Sequence, residues 1–183
     1  MKKIFTIILA ILAITLFSQE NNANIWYFGE NAGVNFNTGI PLSLTDGALN
    51  TWEGCASICN QEGELLFYTD GQTVYNRNHQ IMPNGTGLLG DYSASQSSII
   101  IPKPDLSPNN NIYYIFTVDR WQDDFVNGLR YSIVDMTLDG GLGDITSDKN
   151  ILLHDKVAEK ITAIHHSNNQ DVWILTHDWG SND

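Results

Sequence analysis

"NQEGELLFYTD", Asn60 to Asp70, sets a polar turn ahead of an apolar and aromatic run and ends on a carboxylate. Two later stretches share its frame: "NNNIYYIFTVD", Asn109 to Asp119, and "NNQDVWILTHD", Asn168 to Asp178. Each opens on Asn, closes on Asp ten residues later, and carries a Thr within two residues of that Asp. Leu66, Ile115 and Ile174 correspond, as do Phe67, Phe116 and Leu175. A short β-prone piece lies upstream of each: "ASI", "SSIII" and "TAI". The repeating unit is therefore strand, polar turn, strand, Asp. Its spacing of 49 and then 59 residues lies near the roughly 40–50 residues of known propeller blades.

Outside these units the same grammar continues. Past residue 20 there is no helical periodicity. Short runs such as "NIWYFG" and "LRYSIVDM" alternate with Gly, Asn, Asp and Pro, the pattern of an all-β sandwich, barrel or propeller. Asp46-Gly47, Asp70-Gly71 and Asp139-Gly140 are turn dipeptides, because glycine accepts positive φ and the Asp oxygen bonds the local backbone. A further strand follows the first two units, "QTVYNRN" and "GLRYSIVDM", whereas the chain ends soon after Asp178. "NIWYFGENAGVNFN" reads as a strand pair with nothing before it. The expected fold is an incomplete β-propeller of about three blades of antiparallel strands over residues 19–183. Propellers have about four to eight blades, so the chain reads as a fragment lacking its C-terminal part. Its open strand edges would invite association.

The first 18 residues read as a cleaved signal helix. Lys2 and Lys3 precede an apolar stretch, Ile4 to Phe17, and the small residue Ser18 follows; that order defines a secretory signal peptide. An uncleaved anchor is the alternative, but the run is short of the about 20 residues a membrane span needs. No cysteine follows it for lipidation. The whole chain carries a formal net charge of −12, and loss of the two lysines makes the mature chain more acidic still. Nucleic acid and anionic membrane surfaces are poor partners for such a chain. Export permits disulfides, but Cys55 and Cys59, the only cysteines, sit four apart on an expected strand. That separation is about 13 Å, too far for one bridge. The alternation Cys55, Ser57, Cys59 places three small side chains on one face.

"WYFGENAGVNFNTG", "DGALNTWEGCASI", "LDGGLGD", "EKITAIHH" and "THDWGSN", in this order, resemble the N-terminal region of gliding-motility-associated or type IX secretion sorting-domain proteins, large secreted proteins of gliding and related Gram-negative bacteria. The resemblance covers nearly all of the mature chain. It implies a propeller-like region placed at the cell surface or secreted, often followed by immunoglobulin-like and sorting domains. It carries over no catalytic residues.

Candidate chemistry is sparse. His165, His166 and His177 are close in sequence, but neighbouring strand residues point to opposite faces, which argues against a shared metal. "DGGLGD", Asp139 to Asp144, has two carboxylates among glycines but lacks the other ligands of a calcium loop. "GTGLLGD" lacks the Lys and Ser/Thr of a phosphate loop, and "SASQSS" has no nucleophile elbow. Asp70, Asp119 and Asp178 recur, which favours a structural role, since a catalytic group is needed once. The best ligand-facing candidates are Trp121 and Trp179, each just beyond a repeated Asp, where aromatic rings at a loop rim can stack on sugars or peptides. The reading is a non-catalytic binding or adhesion module without cofactor or metal. Its partner would be an extracellular protein or glycan, and the mature chain would have no membrane span. The alternative is part of an extracellular propeller enzyme, glycosidase- or quinoprotein-like, whose active site lies in missing blades.

Overall fold

The computed structural model describes residues 21–104, 110–168 and 170–181; the expected signal segment lies outside them. Over the described residues the protein is all-β, with four antiparallel sheets, none closed on itself. The first contains β1 (Ile25–Phe28), β2 (Ala32–Asn35) and β3 (Leu42–Leu44). The second is a meander of β4 (Ala56–Cys59), β5 (Leu65–Thr69), β6 (Thr73–Asn76) and β7 (Ile81–Thr86). In the third, β8 (Ser98–Pro102), β9 (Ile112–Thr117) and β10 (Leu129–Asp135) run in order. Its outer strand is broken into β11 (Asp144–Ile145) and β12 (Ile151–His154), which both pair with β10. The fourth holds β13 (Val157–His165) and β14 (Val172–Asp178). Among the described residues no helix is long and apolar enough to cross a membrane.

The repeated frame maps onto one strand pair in three sheets. Its apolar runs are β5, β9 and β14, each the second strand of its sheet. The opening Asn is a local turn-former. Asn60 Oδ1 accepts from the N–H groups of Glu62 (3.1 Å) and Glu64 (2.8 Å), and Asn168 Oδ1 accepts from Gln170 and Asp171, both at 3.0 Å. A short side-chain acceptor of this kind substitutes for the backbone at a hairpin end. Asn109 lies outside the described residues.

Consecutive sheets pack face to face, and each junction has its own apolar cluster. Tyr27, Leu49, Leu65 and Tyr68 join the first sheet to the second, with Tyr27 stacked on Tyr68 at 4.6 Å. Ile58, Phe67, Val74, Ile100, Ile115 and Val134 fill the second junction. Val118, Leu129, Val157 and Ile161 fill the third, with Phe116 and Ile174 against them. The leading strands β1, β4, β8 and β13 lie side by side in that order.

The small-residue face of β4 has a structural cause. Ser57 Oγ accepts the Tyr27 N–H at 2.9 Å, and Cys59 Sγ lies 3.9 Å from the Ile25 carbonyl as its weak donor. β1 thus rests its edge on β4, satisfying backbone groups that an edge strand otherwise leaves open. Both cysteines are free thiols. Burial pushes the Cys55 and Cys59 pKa values up, and the Asp70 carboxylate adds to the rise at Cys55.

Two strands go beyond those expected from the sequence. The first strand pair gains β3, and β7 completes the second sheet despite Pro83. Pro83 is tolerated because β7 is an edge strand.

Candidate ligand-binding rim

In each repeated sheet the second strand ends where the first begins: Thr69 opposite Ala56, Thr117 opposite Ser98, and Asp178 opposite Val157. The three repeated aspartates therefore collect along one rim of the sheet stack. Asp70 directly follows β5. Its Oδ1 accepts from Gln72 N–H (2.8 Å) and Thr73 N–H (2.7 Å), and Gly71 turns the chain at φ +89°. Asp119 lies two residues past β9, 1% exposed, and accepts from the N–H groups of Arg120 (2.9 Å) and Asn127 (3.0 Å). Burial raises its pKa against the lowering effect of those two N–H groups. Asp178 ends β14 and meets His154 Nε2 at 2.6 Å. All three carboxylates are thus held in turns and strand-end contacts.

Because Asp70 closes a local turn, Asp70→Ala is expected to cost on the order of 1 kcal/mol. The check is a shift of the urea midpoint at unchanged slope. A loss above about 3 kcal/mol, the top of the range for an abandoned hydrogen-bond partner, would mean that the carboxylate does more than close this turn.

The rim is stitched from loop to loop. Trp52 and Glu53 N–H groups donate to the Tyr92 carbonyl, each at 3.2 Å, and Gly54 N–H to the Ala94 carbonyl at 3.1 Å. Glu159 spans the next junction. Its Oε2 accepts from Ser95 N–H (3.1 Å) and Oγ–H (3.2 Å), and its Oε1 accepts from Trp121 N–H at 2.7 Å. Arg120 Nε lies 2.9 Å from Asp123 and 3.5 Å from the buried Asp91. Trp179 N–H donates to the Lys156 carbonyl (2.8 Å), and its ring lies 4.6 Å from Phe125.

Three indoles stand out from this scaffold. Trp121 is 60% exposed and Trp179 55%. Trp52, which the sequence reading did not single out, is 74% exposed, edge-on to Tyr92 at 5.2 Å. It trails no repeated Asp and only precedes β4 in "NTWEG", so the sequence carries no distinct signal for it. The rim thus combines exposed aromatic faces with hydrogen-bonded carboxylates and one guanidinium.

Other candidates are placed elsewhere or otherwise engaged. His165 and His166 lie at the far hairpin of the fourth sheet, with His166 5.6 Å from Trp173, whereas His177 Nδ1 meets the Asp178 carbonyl. Among the described residues no three His, Cys, Asp or Glu side chains group as a metal site. In "DGGLGD", Asp144 accepts from Asn84 N–H (2.8 Å) and Nδ2–H (2.7 Å), tying the second sheet to the third. "SASQSS" leads into β8.

Searches of family models, of curated proteins and of solved structures return no match to this chain.

Proposed function

We propose that this chain is a non-catalytic binding module of a secreted or cell-surface protein, its four sheets arranged as successive blades of a propeller-like array. The observation that carries the reading is the rim itself: Trp52, Trp121 and Trp179 are each more than half exposed, while Asp70 and Asp119 serve the backbone and Asp178 is engaged by His154. Exposed, anchored indoles offer ligands large apolar area at little entropic cost. Face-packed meanders with adjoining leading strands support the array. The resemblance to gliding-motility-associated and type IX secretion sorting-domain proteins supports a surface placement and an adhesive role. With a net charge of −12, the rim favours neutral or cationic ligands over polyanions.

The test is titration with neutral oligosaccharides and extended peptides, followed by tryptophan fluorescence. Trp121→Ala and Trp179→Ala are expected to weaken binding by roughly tenfold or more each, as for aromatic anchors; Trp121→Ala should leave stability within about 0.5 kcal/mol, and Trp179→Ala should cost about 1 kcal/mol through its lost contact with Phe125. Binding that survives Trp52→Ala, Trp121→Ala and Trp179→Ala unchanged would reject the rim as the site.

A further inference from the structure

We propose that the rim segment around Arg120 and Trp121 binds a neutral glycan, one sugar ring laid on the Trp121 indole and its hydroxyls meeting Arg120 and Asp123. The proposal rests on the rim being the binding site and names the ligand class that this part of it selects. Arg120 leads into a single 3₁₀ turn, Trp121–Asp123, so guanidinium, ring and carboxylate come from one short stretch of chain. The Arg120 side chain is 27% exposed and grips Asp123 through Nε (2.9 Å) and Nη2 (3.3 Å). Its Nε also lies 3.5 Å from Asp91, and the Tyr92 hydroxyl lies beside the guanidinium. Tyr92 in turn meets the Trp52 ring at 5.2 Å. A line of aromatic faces and hydrogen-bonding edges therefore runs from Trp121 past Arg120 and Tyr92 to Trp52.

The turn is set before any ligand arrives. Asp124 and Phe125 follow it at φ +57° and +52°, the left-handed region that non-glycine residues rarely enter. Strain of this kind persists only where the surroundings over-determine it, and it gathers at ligand clamps. Here Phe125 is buried with its ring 4.6 Å from Trp179, Asn127 N–H donates to Asp119, and Trp121 N–H donates to Glu159. A preset turn loses little entropy on binding.

The pairing of charges decides the ligand class. Asp91 accepts from Ser93 N–H and Oγ–H besides facing Arg120, and both Glu159 oxygens are bonded to the scaffold. The carboxylates beside Trp121 are thus engaged, which leaves little for a cationic ligand. Arg120 already faces two carboxylates, whose repulsion an anionic ligand would meet. What remains is neutral hydrogen-bonding capacity: Arg120 has five N–H donors, more than these contacts use, and Asp123 keeps lone pairs beyond those given to Arg120. A sugar hydroxyl both donates and accepts, so two neighbouring hydroxyls on one ring can serve guanidinium and carboxylate together. The C–H face of that ring then covers the indole, whose π face is negative. A proline-rich peptide could cover the indole as well, but its prolines bring carbonyls alone and no N–H for Asp123.

The experiment is calorimetric titration of the chain with neutral hexose and pentose oligosaccharides, with uronate-containing and sulfated oligosaccharides, and with lysine-rich and proline-rich peptides. Circular dichroism verifies that each variant is folded. The expected result is saturable binding of a neutral oligosaccharide, with no comparable binding of the charged glycans or peptides. Trp121→Ala is expected to weaken it by roughly tenfold or more. Asp123→Asn keeps the shape and removes the charge, and Arg120→Lys keeps the charge and removes the planar fork; each is expected to weaken it by roughly tenfold, as for a lost hydrogen bond to a charged group. No binding of any neutral oligosaccharide overturns the proposal, as does unchanged affinity in both Asp123→Asn and Arg120→Lys. Peptide or charged-glycan binding that Trp121→Ala abolishes, with no binding of neutral sugars, overturns the ligand class and leaves the rim standing as a site. Sugar binding that is unaffected by Trp52→Ala, Trp121→Ala and Trp179→Ala overturns both.

Discussion

Replacing Phe67 by alanine is expected to cost about 3–5 kcal/mol, the usual range for emptying a buried aromatic site. Phe67 is fully buried in β5, whose five residues are all buried. It fills the junction between the second and third sheets and meets Tyr113 edge to face at 5.5 Å. The ring is held on two sides by sheets fixed through their own hydrogen bonds, so the site collapses little on truncation. Against a total stability of about 5–15 kcal/mol, the loss would move the urea midpoint by about 2 M at a slope near 2 kcal/mol/M. Leu175→Ala supplies the control, measured at low concentration. It alters the same repeat position on the uncovered face, where the residue is half exposed, and is expected to cost under about 1 kcal/mol. Equal costs at the two positions would refute the account of the second junction as a core.

That contrast marks what the sequence discloses. The apolar runs that became β5, β9 and β14 were legible because Asn and Asp bracket each one in the sequence, and Asn60, Asn168 and Asp70 close turns by local hydrogen bonds to the backbone. Which face of a run is buried was not legible. Phe67 and Leu175 look alike in the repeat, and only the presence or absence of a neighbouring sheet separates them. β3 was hidden because three residues, Leu42 to Leu44, carry no measurable alternation. β7 was hidden behind Pro83 and Gly85, which read as breakers, and β12 is exposed along its whole length, so its pairing to β10 owes little to burial. The small side chains at Cys55, Ser57 and Cys59 announced a close approach on one face, but not that β1 makes it. At the rim, Trp121 and Trp179 could be found because each trails a repeated Asp. Trp52 could not, since it is placed by Tyr92 and Ala94, some forty residues distant in the chain.

The same dependence on distant backbone makes Gly54 the position where one added methyl should do the most damage to the rim. A Cβ there would press into the Ser97 backbone nitrogen and lie 2.8 Å from the Ala94 carbonyl oxygen and 2.9 Å from Ser97 Oγ. Two of these three neighbours are backbone atoms and cannot swing aside. The loop before β4 would have to lift from the loop before β8, breaking the 3.1 Å bond from Gly54 N–H to Ala94 and straining that from Thr51 Oγ to the Gly54 carbonyl. Overpacking of this kind costs about 1–3 kcal/mol, and the lost bond between loops adds about 1 kcal/mol more. Gly54→Ala is therefore expected to destabilise the chain by roughly 2–4 kcal/mol. It should also separate Trp52 from Tyr92, whose rings now meet at 5.2 Å. The two effects are read by urea denaturation and by the near-ultraviolet dichroism of the folded variant. Gly39→Ala is a matched control: a Cβ there meets open space, and only its φ of +75° resists, so it should cost about 1 kcal/mol and leave the aromatic signal intact. A Gly54→Ala chain as stable as wild type, with Trp52 still seated on Tyr92, would show that the loops are not held against each other at this glycine.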